Sequence, residues 1–171
     1  MNGKISNRSD FVKKGSKTNV IRFLEQQQIH HETLEYKVDE FDLSAQHIAT
    51  LSHMPLHMLY KTIVCRGDKT GVLLACLPGD QEVDMKKLAK VSHNKKVESV
   101  PLKEVLPLTG YIRGGVSPIG CKKDYPLYVS DDIKKQEKIS ISAGARGHQV
   151  ILSPHDFLTI RQATVCAITK E

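Results

Sequence analysis

Two glycine-rich segments, each carrying cations, are the first places where this chain could do chemistry. Gly114-Gly115-Val116-Ser117-Pro118-Ile119-Gly120-Cys121-Lys122-Lys123 holds three glycines. Glycines let the backbone approach a ligand and turn N–H groups toward an anion. Ser142-Ala143-Gly144-Ala145-Arg146-Gly147 sets an arginine between glycines, and a guanidinium can clamp a phosphate or carboxylate. Neither is a nucleotide loop. The Walker motif needs G-x-x-x-x-G-K-[ST]; here Cys121 intervenes, Lys123 stands where Ser or Thr belongs, and no G-x-G-x-x-G is present. Taken singly, each segment reads as a tight turn; together they raise the case for an anionic ligand. Lys61 opens the apolar run Lys61–Cys65 beside Tyr60. A lysine there can be desolvated and aimed at an anion, or can simply snorkel out to solvent.

Lys86, Lys87, Lys90, Lys95 and Lys96 follow with no acid between the first and the last. The first three fall on one side of an expected helix. Such a face suits a phosphate backbone, which confers affinity and salt dependence without sequence reading. At 5% aromatics and no Trp, base stacking is not the main binding device. His53 and His57 are four apart, but Pro55 lies between them and H-E-x-x-H is absent, so no metal site and no cofactor are expected. Lys122 and Lys123 can lower the pKa of Cys121; a plain loop thiol is the simpler reading.

The elements that must position these residues read as a mixed α+β single domain around a mixed, largely antiparallel sheet. Thr18 or Asn19 caps a helix to about Gln28, and His31 to Val38 is a strand. Asp42 or Ser44 caps a helix to Ser52 with Ala45, Ile48, Ala49 and Leu51 inward. Pro55 begins a short helical turn. Tyr60–Cys65 and Val72–Leu77 form a hairpin about Arg66–Gly71. Val83 to Ser92 has helical spacing with Asp84 near its start, Leu102 to Leu106 is a short helix, and residues 110–120 are loop. Leu127–Ser130, Ile139–Ser142 and Gln149–Leu152 are strands. Ser153 caps a helix to Ile160, and Ala163–Ile168 is a last strand.

Composition bounds the function. The chain has 171 residues and a net charge of +6, yet residues 1–20 alone carry +4. The charge therefore points to a polyanion mainly through a polar arm, residues 1–16, preceding a domain over 17–171. No apolar stretch is long enough for a membrane span, and the N-terminus lacks a signal-like apolar region. The four cysteines make no C-x-x-C pair and are expected reduced and mostly buried, which makes the cytoplasm the expected compartment.

The motifs in combination go further. Tyr60-Lys61-Thr62, Val83-Asp84-Met85-Lys86-Lys87-Leu88-Ala89-Lys90, Thr109-Gly110-Tyr111-Ile112-Arg113-Gly114-Gly115-Val116-Ser117-Pro118-Ile119-Gly120 and Gly144-Ala145-Arg146-Gly147 resemble, in order and spacing, the YbaK/EbsC family. These are aminoacyl-tRNA deacylases related to the editing domain of bacterial prolyl-tRNA synthetase. The resemblance runs from about Thr18 to Ile168. It implies a barrel-like sheet with surrounding helices and an enzyme that cleaves mischarged aminoacyl-tRNA in trans. The implied substrate is Cys-tRNA(Pro) or Cys-tRNA(Cys), with tRNA as partner and prolyl-tRNA synthetase as a possible second one. It also implies roles: Lys61, Gly114 and Gly115 in catalysis; Tyr36, Ser117, Pro118, Ser142, Gly144, Arg146, Gly147 and Gln149 around the substrate; and the lysine cluster on the acceptor stem. For a cysteinyl ester, the substrate thiol itself is the implied nucleophile. The last block departs from the family pattern. Ala143 replaces Gly, Ala145 replaces Lys, and Gln149 stands where an Asp that would meet the substrate α-ammonium is expected. A non-catalytic tRNA- or synthetase-binding module of the same fold, and a deacylase for another pair such as Ala-tRNA(Pro), stay open beside the main reading.

Overall fold

The computed structural model describes residues 17–171, and the expected arm over 1–16 lies outside the described residues. The chain opens with α1 (Asn19–Gln26), capped by Thr18, whose hydroxyl accepts the Ile21 N–H. Val20, Ile21 and Leu24 recur at helical spacing and are buried. Then come β1 (His31–Glu35), α2 (Ala45–Ser52), a 3₁₀ turn (Leu56–Met58), β2 (Tyr60–Gly67) and β3 (Gly71–Pro78). These are followed by α3 (Met85–Val91), β4 (Val97–Ser99), α4 (Leu102–Thr109) and β5 (Leu127–Ser130). A second 3₁₀ turn (Asp131–Lys135), β6 (Ile139–Ser142), β7 (His148–Leu152), α5 (Pro154–Arg161) and β8 (Thr164–Cys166) complete the domain. Among the described residues, no helix is long and apolar enough to cross a membrane.

The strands form two sheets, one of order β1-β7-β6 and one of order β4-β2-β3-β5-β8. The smaller is antiparallel throughout; the larger is mixed, because β3 pairs parallel with β5 and β5 with β8. The expected barrel-like sheet is corrected here. The sheets do not close on each other but meet through one parallel bridge, Leu59 to Ser140. β3 explains its own sequence: Leu73 to Leu77 are all 0% exposed, so the run is apolar without alternation. Leu74 and Cys76 belong to the main core with α1 and α5, while Leu73, Ala75 and Leu77 pack with Leu88 and Ala89 of α3. Each large side chain so buried contributes about 1.5–3 kcal/mol.

Caps fall where the side chains predict: Ser44 on α2, Asp84 on α3 and Ser153 on α5 each accept a backbone N–H of the first turn. β1 stops at Glu35 and β8 at Cys166, shorter than their apolar patterns suggest. α4 runs on to Thr109 with Pro107 inside it, and Gly110 closes it at φ +87°. β4 has no sequence signal: three residues beside a lysine pair become a strand by pairing with Cys65–Gly67. Of the residues expected to face inward from α2, only Ala49 is buried; Ala45 and Ile48 line a cavity instead.

Candidate active site

β2 is paired with β3 along its whole length, but with β4 only from Cys65 onward. Its first residues therefore keep one free edge. Along that edge lies a cavity of about 370 Å³, within the size range of small-ligand sites. Lys61 and its neighbours on β2 form one wall, and Val100, Leu102 and Val105 form a second. Leu43, Ala45 and Ile48 close a third side, and Arg113, Gly114 and Val116 meet Ser142 and Gln149 on the fourth. The walls are mainly aliphatic, with a few polar groups.

Lys61 is half-buried and its Nζ donates to the Gly79 carbonyl at 3.2 Å. Burial pulls its pKa below the usual lysine value, with Glu82 and Asp80 working the other way. The two glycine-rich segments, far apart in sequence, lie against each other. Ser142 Oγ donates to the Gly115 carbonyl at 2.9 Å and accepts the Gly144 N–H at 3.0 Å. Arg146 Nε donates to the Arg113 carbonyl at 2.7 Å. A Cβ on Gly115 would stand 3.2 Å from the Ala145–Arg146 backbone, so a side chain there would push the two loops apart by a few tenths of an ångström. Gly114 has φ +87°, which favours glycine as well.

The expected site residues separate into groups. Lys61, Gly114, Ser142 and Gln149 come together at the cavity. The Gly115 N–H is spent on the Ile112 carbonyl at 2.9 Å, whereas among the described residues the Gly114 N–H has no acceptor. Tyr36 stands behind Gln149: burial pushes its phenol up, while the Gly147 backbone and the Gln149 side chain hold it down. Ser117 is 0% exposed and accepts the Ile119 N–H, and Pro118 is buried with its carbonyl on Arg161 Nε. Gly144 abuts Tyr111, and Gly147 abuts Tyr36 and Val38. Arg146 spends its Nε within the protein. Gly115, Tyr36, Ser117, Pro118, Gly144, Arg146 and Gly147 thus shape the loops but do not line the cavity.

The lysine cluster does not border the cavity either. Lys86, Lys90, Lys95 and Lys96 are exposed on α3 and its connection to β4. Lys87 is set apart from them, its Nζ donating to the Thr169 carbonyl and lying 3.7 Å from Glu171. Cys121 is corrected as a candidate low-pKa thiol: burial pushes it up to about 11, against a lowering influence of Arg161 rather than of its lysine neighbours. Sequence reasoning missed Arg113, an exposed cation at the cavity, although it directly precedes Gly114-Gly115. It also missed the aliphatic lining from Leu43, Ile48, Val100, Leu102 and Val105, since such residues read as core.

Among the described residues, no histidine or carboxylate borders the cavity, so no side chain stands ready to activate Ser142, whose hydroxyl is held in the loop contacts. The arrangement sets a small aliphatic cavity beside two cations and, at Gly114, an N–H that has no acceptor among the described residues. Residues 43–160 match the family described as the aminoacyl-tRNA editing domain. This chain belongs to that family. All the residues of the cavity wall, from Leu43 to Gln149, fall inside the matched span. Among relatives of this editing domain, EbsC of Enterococcus faecalis, a candidate Cys-tRNA(Pro)/Cys-tRNA(Cys) deacylase, is 42% identical over 153 residues, covering 90% of this chain and 93% of its own length. The multifunctional Ser/Thr-tRNA deacylase ProXp-y of Escherichia coli is 31% identical over 107 residues, 60% of this chain and 64% of that protein. The crystal structure of a candidate trans-editing enzyme for prolyl-tRNA synthetase shares the fold, with a TM-score of 0.78 at 21% identity, over 89% of this chain and 96% of that one.

Proposed function

We propose that this chain is a trans-editing deacylase that cleaves the ester of mischarged aminoacyl-tRNA, with Cys-tRNA(Pro) as the leading substrate. The observation that carries this reading is the meeting of Lys61, Gly114, Ser142 and Gln149 at one small aliphatic cavity inside the span shared with the editing family. The 42% identity to EbsC supports the cysteinyl substrate.

The residues present act by position. The acyl group enters the cavity, and Lys61 supplies a cation for the terminal phosphate or the ester carbonyl. The Gly114 N–H donates to the oxyanion that forms as the carbonyl carbon becomes tetrahedral. With no base beside a protein nucleophile, the substrate thiol serves: its sulfur bonds to the carbonyl carbon, the carbon–oxygen bond to the terminal ribose breaks, and the ribose oxygen takes a proton. The products are a cyclic thiolactone and tRNA with a free hydroxyl. Holding sulfur and carbonyl in reach is the protein's main contribution.

A deacylation panel of cysteinyl-, alanyl-, seryl- and threonyl-tRNA(Pro) tests this. The cysteinyl ester should be turned over fastest, and Lys61→Ala should abolish turnover while leaving the circular dichroism unchanged. Wild-type rates for Lys61→Ala, or tRNA binding without turnover of any ester, would overturn it.

A further inference from the structure

The charges in the wall of the cavity are all of one sign. The two ionic side chains in its wall are Lys61 and Arg113, and among the described residues no carboxylate lines it. The nearest acids on the β3 side, Asp80 and Glu82, act on Lys61 but are exposed and outside the wall. On the small sheet, Glu35 pairs in register with His148, 3.9 Å from its ring nitrogen, and neither borders the cavity. Gln149 is 5% exposed and brings no charge, and its Oε1 already accepts the Ser140 hydroxyl at 2.9 Å. The Ser142 hydroxyl donates inward to Gly115. The cavity thus offers cations, N–H donors and neutral hydroxyls, those of Tyr60 and Thr62 being buried without a partner among the described residues; this set suits a carbonyl, an oxyanion, a phosphate or a neutral amine. A second ammonium there meets like charge and no counter-ion. Backbone carbonyls on the free edge of β2 are neutral and accept from either form of an amine.

Resting on the deacylase reading, we propose that this site takes the acyl group with its α-amine uncharged, and therefore also accepts esters that lack the amine altogether. The ester carbonyl and the side chain, not the ammonium, are what it recognises. The substrate class widens from the aminoacyl esters that are cleaved to their deamino counterparts on the tRNA terminus.

The test compares cysteinyl-tRNA(Pro) with 3-mercaptopropionyl-tRNA(Pro), and alanyl- with propionyl-tRNA(Pro), using the full chain. Each rate is divided by the uncatalysed hydrolysis of the same ester, which removes the amine's own activating effect. The acceleration should stay within about threefold between members of the pair that is turned over, against the about 10–150-fold loss expected when a charged anchor is removed. A fall of that larger size for the deamino ester, with the aminoacyl ester still cleaved, would overturn this inference and leave the deacylase standing. If none of the esters in the panel is accelerated, the deacylase reading has failed instead.

Discussion

Lys61 stands where a buried sheet edge meets a cavity, and its cost and its use have the same origin. Burial disfavours its ammonium, so the folded chain holds that proton more weakly than the unfolded chain does. Between the lowered folded pKa and the unfolded value near about 10.4, the unfolded state binds more protons, and stability rises with pH. Below that window the whole cost is present. Lys61→Met should therefore lose turnover without losing stability at neutral pH. Its Tm should stay within about 4 °C of wild type, the lost bond to Gly79 offsetting part of the gain. Any advantage should shrink as the pH climbs toward about 10. Thermal melts at neutral and high pH, beside a turnover assay, check this; a large fall in Tm at neutral pH would make Lys61 a structural residue. From the sequence, Lys61 could equally have snorkelled to solvent. What decides is the incomplete partnering of β2 by β4, a property of strand lengths that no local pattern reports.

At the scale of elements, the site depends on joints that carry no catalytic residue. Asn94 is one of them. It is 9% exposed; its Oδ1 accepts the Lys69 and Thr70 N–H groups, and its Nδ2 reaches the hydroxyls of Thr70 and Ser92. It thereby fastens the β2–β3 turn to the end of α3, and Gly67 is needed because a Cβ there would meet the Asn94 side chain. Asn94→Ala leaves two donors without an acceptor, a cost of about 1–3 kcal/mol and about 2–12 °C in Tm. Turnover measured well below the lowered Tm should remain near wild type, because Asn94 lies outside the cavity wall. The hairpin itself was plain in the sequence, since turn residues between two apolar runs leave few alternatives. The residue that clamps its turn was not, because Asn94 is about 25 positions away and reads as loop.

Over the whole molecule, the net charge of +6 hides local clusters of cations, among them the exposed face of α3 with its following turn and the two cations of the cavity wall. Lys86, Lys90, Lys95 and Lys96 are the part suited to a phosphate backbone. Replacing all four by Ala should weaken tRNA binding and flatten its salt dependence by about 0.7–0.9 in slope for each phosphate that is no longer neutralised. The rate of ester cleavage at saturating tRNA should be unchanged. Binding titrations across a range of potassium chloride check this. A slope equal to wild type would move the tRNA-binding face elsewhere, with Arg113 the next cation to test.

The sequence by itself determined the class of the fold, the helix caps, the hairpin and the motifs that mark an editing domain. Those rest on chemistry that acts over a few residues: a hydroxyl meeting an N–H three positions on, or glycine freeing a turn. Only the tertiary structure decided which motif residues line the cavity. Gly115 reads as catalytic and Arg146 as substrate-binding in a string of letters, yet the Gly115 carbonyl and the Arg146 Nε join the two loops and neither residue lines the cavity. Leu43, Ile48 and Val105 look like core, yet they wall the cavity. Direction at a site depends on which strand edge stays unpaired and which loops touch, and both are set by pairings between segments far apart along the chain.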